Sequence, residues 1–161
     1  MGSSSSSKPQ RIYDVFINFR GKDTREGFVS HLHAALTNAG INTFLDKEKL
    51  TIGEELEPEL KRAIEGSHIY IVVFSENYAE SSWCLNELLH IMGCCKTYGQ
   101  VVIPVFYFVD PSDVRHQKGD FGNALKNTSL FIRDKEDMLS KWKTALTDVA
   151  NLSGWDLKNF R

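Results

Sequence analysis

The sequence predicts a three-layer α/β fold, with a central parallel sheet of four or five strands and helices on both faces. Three observations predict it. Short apolar runs alternate with segments whose apolar residues recur at helical spacing, as in strand–helix–strand units. Two of the runs, residues 69–74 and 101–109, are apolar almost throughout, which suits strands covered on both sides. The chain has 161 residues, 42% hydrophobic and 25% charged, enough for one core and too few for a second.

Residues 1–11 are Ser-rich and lack an apolar stretch, so they read as a disordered lead rather than a secretory signal. The domain is expected over 12–158, with a short tail at 159–161. Residues 13–19 form the first strand and stop at Arg20-Gly21. Phe28, Leu32, Ala35, Leu36 and Ala39 mark a helix that Gly40 ends. Residues 41–45 are a second, short strand, followed by a polar loop containing Gly53. Leu56, Leu60, Ala63 and Ile64 give the next helix face; Pro58 fits only in a first turn, and Gly66 closes the helix. The third strand is 69–74. Leu85, Leu88, Leu89, Met92 and Cys95 form the following helix, and 101–109 is the fourth strand. Pro104 within it lacks a ladder donor and so marks an edge or an irregularity. A short helix is expected around 121–125. Leu139, Trp142, Leu146 and Val149 make the last helix, closed near Gly154.

Right-handed crossovers leave few arrangements of these units. A flavodoxin-like order, with the first strand central, puts a ligand beyond the carboxyl ends of the strands, where the order reverses. That geometry selects the loops after strands one and three, carrying Phe19-Arg20-Gly21 and residues 75–87.

Several functions are excluded. A formal net charge of −2 gives no electrostatic basis for nucleic-acid binding. No apolar window of about 18 residues exists to span a membrane. The three cysteines, Cys84, Cys94 and Cys95, are odd in number and two are adjacent; this is no disulfide framework, and a reducing compartment is expected. The two common glycine-rich phosphate loops are absent, as is the G-x-S-x-G elbow. His90 and Cys94 share a helix face, but two ligands make no zinc site, so no metal is expected. The third strand ends in Phe74-Ser75 rather than a phospho-accepting Asp.

What remains at the selected loops is Glu87, one helical turn after Trp83. Pattern alone leaves their roles open. Glu87 is a solvated acid near a helix N-terminus or a catalytic carboxylate. Trp83 is core filler or a stacking surface. Arg20 pairs with Asp23 or binds an anion.

The run Tyr13-Asp14-Val15-Phe16-Ile17-Asn18-Phe19-Arg20-Gly21-Lys22-Asp23-Thr24-Arg25 resembles the opening motif of plant Toll/interleukin receptor (TIR) domains. So do Phe74-Ser75-Glu76-Asn77-Tyr78-Ala79 with Ser82-Trp83-Cys84-Leu85-Asn86-Glu87-Leu88, then Pro104-Val105-Phe106-Tyr107, Val109-Asp110-Pro111-Ser112, Val114-Arg115 and Ser153-Gly154-Trp155. The motifs run in order from Tyr13 to Leu157. The family is the N-terminal module of plant intracellular immune receptors.

The resemblance implies a domain that self-associates and hydrolyses NAD, or NADP, at the nicotinamide–ribose bond, with no tightly bound cofactor. It places the catalytic glutamate at Glu87. Substrate-binding positions fall on Phe19, Arg20, Gly21, Arg25, Asp46, Ser81 and Trp83. Self-association positions fall on Ser30 and His31 of the first long helix and on Lys141, Trp142 and Gly154. Implied partners are copies of the domain, weakly held in isolation, and other TIR domains; the implied location is the cytoplasm or nucleus. Lys22 stands where the family has an acid, and Thr51-Ile52 precede Gly53 where it often has basic residues. A non-enzymatic assembly module is therefore the competing reading.

Overall fold

A computed structural model describes residues 10–24, 26–45 and 58–157. Arg25, Asp46, Thr51, Ile52 and Gly53, with most of the N-terminal lead and the tail from 158, lie outside the described residues. Among those described, the strands are β1 (Tyr13–Asn18), β2 (Thr43–Leu45), β3 (Ser67–Phe74), β4 (Val101–Phe106) and β5 (Trp155–Asp156). The helices are α1 (Gly21–Thr24), α2 (Phe28–Asn38), α3 (Pro58–Glu65), α4 (Ser82–Tyr98), α5 (Pro111–His116), α6 (Gly119–Ser129) and α7 (Lys135–Ala150). The sheet order is β2-β1-β3-β4-β5, parallel throughout, as the flavodoxin-like reading requires.

Successive strand residues feed opposite faces, and both faces are buried. Val15, Ile17, Val73 and Val105 face α2, with Phe28, Leu32 and Leu36 packed against them. Phe16, Tyr70, Val72, Phe74 and Phe106 face the other way, into a larger cluster built with α3, α4, α6 and α7. Two-sided burial explains why these strands read as unbroken apolar runs.

The structure departs from the sequence reading where local capping decides. One short helix was expected around 121–125, and there are two. Asp110 caps α5 by accepting from the Ser112 N–H at 2.8 Å, and Pro111 opens the helix. Left-handed backbone at Gln117 and Gly119 then separates α5 from α6. α1 and a 3-10 turn at Tyr78–Glu80 lie inside segments expected as loops. α7 ends at Ala150, short of Gly154.

Pro104 tests the edge argument directly. The Tyr107 N–H donates to Phe74 on β3, and the Leu157 N–H donates to Phe106 from the β5 side. Alternation turns the missing Pro104 donor toward the β5 side, where pairing starts only at Val105. β5 itself, two residues long, is too short to announce itself by periodicity. It forms because Gly154 lets the chain close on β4: a Cβ there would stand 2.0 Å from the Pro104 carbonyl oxygen.

The Cys94 thiol is buried and the Cys95 thiol half-buried. Burial raises the Cys94 thiol, and burial followed by the Cys94 charge pushes Cys95 up to about 12. A raised folded value means the contribution is complete below the ordinary thiol pKa and fades as pH climbs toward about 12. Both thiols should therefore alkylate far more slowly at pH 8 in the folded chain than in urea, measured by mass spectrometry. Gly154→Ala should lower unfolding free energy by about 1–3 kcal/mol at unchanged m-value in a urea titration, because β5 must lift from β4.

Candidate active site

β1 ends at Asn18, on the strand flanked by β2 and β3, so the chain leaving it enters the crevice where strand order reverses. α4 begins over the same crevice. The Ser81 hydroxyl accepts from the Cys84 N–H at 3.1 Å, capping the helix and fixing where its first turn starts. Trp83 and Glu87 follow on one flank, four residues apart.

Glu87 is not a solvated acid. Its residue exposure is 2%, and Trp83 beside it is 7% exposed. A buried carboxylate needs hydrogen-bond donors. Asn18 supplies one: its amide nitrogen donates to Glu87 Oε1 at 2.7 Å and to the Cys84 carbonyl at 3.3 Å. The Tyr78 hydroxyl donates to Asn18 Oδ1 and lies 3.3 Å from the same Cys84 carbonyl. Burial, then the neighbouring Cys84 and Glu87, holds the Tyr78 phenol well above its ordinary value, so it remains a proton donor at any physiological pH. Cys84 adds a third tie, its Sγ donating to the Phe19 carbonyl at 3.2 Å. The end of β1, the 3-10 turn and the first turns of α4 are thus joined through polar groups around one carboxylate.

The first loop is held from the other side. Asp23 accepts from the Ser75 hydroxyl, from the Asn77 N–H at 2.9 Å and from the Asn77 side chain at 3.1 Å. This acid ties α1 to the loop after β3, a use the sequence did not reveal. Phe19 is buried and Arg20 half-buried between these anchors, and Gly21 opens α1. The structure therefore brings Phe19, Arg20, Gly21, Ser81, Trp83 and Glu87 to one rim of the sheet. A separate cavity of about 640 Å³ between the 3-10 turn and α6 carries Glu80 and Asp120 on its wall, a charge unsuited to a diphosphate.

The surface positions divide. Ser30 and His31 are exposed on α2. Lys141 is exposed and pairs with Asp137 at 3.2 Å. Trp142 is fully buried between α7 and α4, donating its indole N–H to Asn86 at 3.2 Å. It sets the position of α7 from within and presents no face of its own. Gly154 is exposed but serves the β4–β5 approach. The supporting residues Asn18, Tyr78 and Cys84 were not singled out from sequence. One signal was available: Asn18 is a lone amide directly after the apolar run Val15-Phe16-Ile17.

The family model for the TIR domain matches residues 12–161. Disease resistance protein RPV1 of Vitis rotundifolia is 51% identical over 99% of this chain. TMV resistance protein N of Nicotiana glutinosa is 49% identical over 94% of it. The chain spans about a tenth of these relatives' lengths, 11% and 13% respectively. Among solved structures, the TIR domains of the activated Roq1 resistosome directly recognising the pathogen effector XopQ superpose with a TM-score of 0.81 at 46% identity, covering 92% of this chain and 90% of that one. With that sheet order and these matches over nearly its whole length, the chain belongs to the TIR domain family, in the form carried by plant disease resistance proteins.

Proposed function

We propose that this TIR domain hydrolyses NAD, or NADP, at the nicotinamide–ribose bond, with Glu87 as its catalytic residue. The observation that carries the reading is the placement of Glu87: a carboxylate 2% exposed, at the carboxyl rim of a parallel sheet, one turn from an indole. In the reaction the C–N bond breaks and its electron pair leaves with nicotinamide. The pyridinium becomes a neutral pyridine, so the leaving group needs no proton. Positive charge develops on the ribose as an oxocarbenium ion. A single preorganised carboxylate in a dry site opposes that charge far better than one in water. Water then adds at the anomeric carbon and releases a proton. Paired carboxylates, ordinary in O-glycoside hydrolysis, are not required.

The other residues take roles that fit their chemistry. Trp83 offers an aromatic face to the cationic ring. Arg20 and Arg25 suit the phosphate and ribose oxygens, as Arg forks do generally. Phe19, Gly21 and Ser81 line the approach, and Asp46 begins the segment that follows β2.

Assembly completes the proposal. Roq1 TIR domains sit in an activated resistosome, and Ser30 and His31 of this chain stand exposed on α2, open to a neighbouring copy. Catalysis rising with self-association would make the domain a defence and cell-death trigger in the cytoplasm or nucleus. No helix among the described residues is long and apolar enough to cross a membrane. Exposed Ser30 and His31 equally suit a module that signals by docking alone, and activity separates the two.

Nicotinamide release from NAD, followed by chromatography at high protein concentration, should fall at least about 100-fold in Glu87→Ala; equal rates in the two proteins would remove the assignment. Specific activity of the wild type should rise with protein concentration. His31→Ala should flatten that rise while leaving the thermal melt unchanged. A rate per molecule independent of concentration would separate catalysis from assembly.

A further inference from the structure

Glu87 is held by a side chain that the reaction described above does not use. Asn18 has two amide hydrogens and one carbonyl oxygen, and all three are engaged. The hydrogens point to Glu87 Oε1 and the Cys84 carbonyl, at 2.7 and 3.3 Å, while the oxygen receives the Tyr78 hydroxyl. The alternative orientation of the amide is excluded by chemistry. Turned over, it would set its oxygen against two acceptors and its NH2 against a hydroxyl that already has the Cys84 carbonyl to donate to. Tyr78 cannot relax away, since it is fully buried, edge-on to Phe74 at 5.0 Å and stacked on Phe121 at 6.5 Å. The turn carrying it is fastened to α6 by the Thr128 hydroxyl, which donates to the Ala79 carbonyl at 2.6 Å.

We propose that Asn18, locked by Tyr78, is a positioning residue for the Glu87 carboxylate, fixing its orientation through a neutral donor. The proposal rests on the NAD-cleavage reading for its kinetic consequences only. An amide suits the task because it is neutral. A Lys or Arg here would also orient the carboxylate, but it would neutralise the negative charge that the ribose cation needs. A hydrogen bond from a neutral donor favours the ionised form while leaving the net charge in place. An acid at this position would do the opposite: two carboxyl groups about 3 Å apart cannot both ionise, so the pair retains a proton to higher pH. The donor must also be rigid. An amide free to turn would offer Glu87 a donor part of the time and a repelling oxygen the rest, and misplacement by about 1 Å costs on the order of 100-fold in rate.

The test compares wild type with Asn18→Asp, Asn18→Ser and Tyr78→Phe, each first checked for an intact thermal melt and circular dichroism spectrum. Two readouts are taken: kcat and KM for NAD from pH 5 to 9, and the pH titration of the 13C-labelled Glu87 carboxyl by NMR. In Asn18→Asp the acidic limb of kcat and the Glu87 titration should both move up by at least one pH unit, with KM changed less than threefold and activity recovering at the alkaline end. In Asn18→Ser the shorter side chain loses its reach, and kcat should fall about tenfold or more with a smaller upward shift of the titration. Tyr78→Phe should lower kcat less, because the amide keeps its donors while losing its lock. A folded Asn18→Asp with an unshifted Glu87 titration overturns the proposal; if that variant does not fold, an unshifted titration with full kcat in Asn18→Ser does so. The NMR readout needs no turnover. An inactive wild type would sink the NAD-cleavage reading and leave the positioning of Glu87 to be decided by the titration alone.

Discussion

The hydrogen bond from Asn18 to Glu87 is the constraint around which the rim of this domain is organised. It joins the last residue of a central strand to the second turn of the longest described helix, across 69 residues of sequence. A carboxylate buried to 2% without such a donor would carry a desolvation cost of several kcal/mol. The surrounding groups follow from that need. Tyr78 fixes the amide, Ser81 fixes the start of α4, and Cys84 bonds the helix to the loop after β1. Stability at this end of the molecule and the geometry of the candidate reaction thus depend on the same few polar contacts.

Sheet order makes those contacts available. β1 and β3 are direct neighbours, so the loops leaving their carboxyl ends meet above the sheet. Asp23 fastens the two loops to each other, binding both backbone and side chain of Asn77. The packing beneath is asymmetric: α2 covers one face, and the larger cluster with α4 and α7 covers the other. α4 therefore lies on that second face, with Trp83, Leu85, Leu88 and Ile91 in the core cluster and Glu87 meeting Asn18 at the carboxyl end of β1. The tie between Trp142 and Asn86 sets the spacing of α7 and α4 from the inside. That burial keeps the Trp142 side chain off the surface of the domain.

Most of the architecture was legible in the chain. Unbroken apolar runs gave the strands, because two-sided burial removes the need for alternation. Gly40, read as the stop of α2, adopts the positive φ that ends it. Short elements were not legible. β5 has two residues, and α5 depends on a cap and a proline rather than on periodicity. The candidate site was legible in part. Glu87 and Trp83 could be placed on one helix face at the crevice, but an acid at the margin of an apolar stripe is ordinarily solvated. Nothing in the spacing of residues 83–87 showed that an amide from residue 18, held by the phenol of residue 78, would donate to it.

The sequence by itself determined the class of fold, the crossing of the chain over a parallel sheet and the two loops that meet at its carboxyl rim. Those properties depend on local periodicity and on handedness, which are encoded over stretches of ten to twenty residues. Tertiary structure alone decided that Glu87 is buried, that Asn18, itself held by Tyr78, donates to it, that Asp23 serves the neighbouring loop and that Trp142 faces inward. Each of these is a meeting of side chains distant along the chain, and whether a polar group finds a partner or water depends on what the folded chain carries to it.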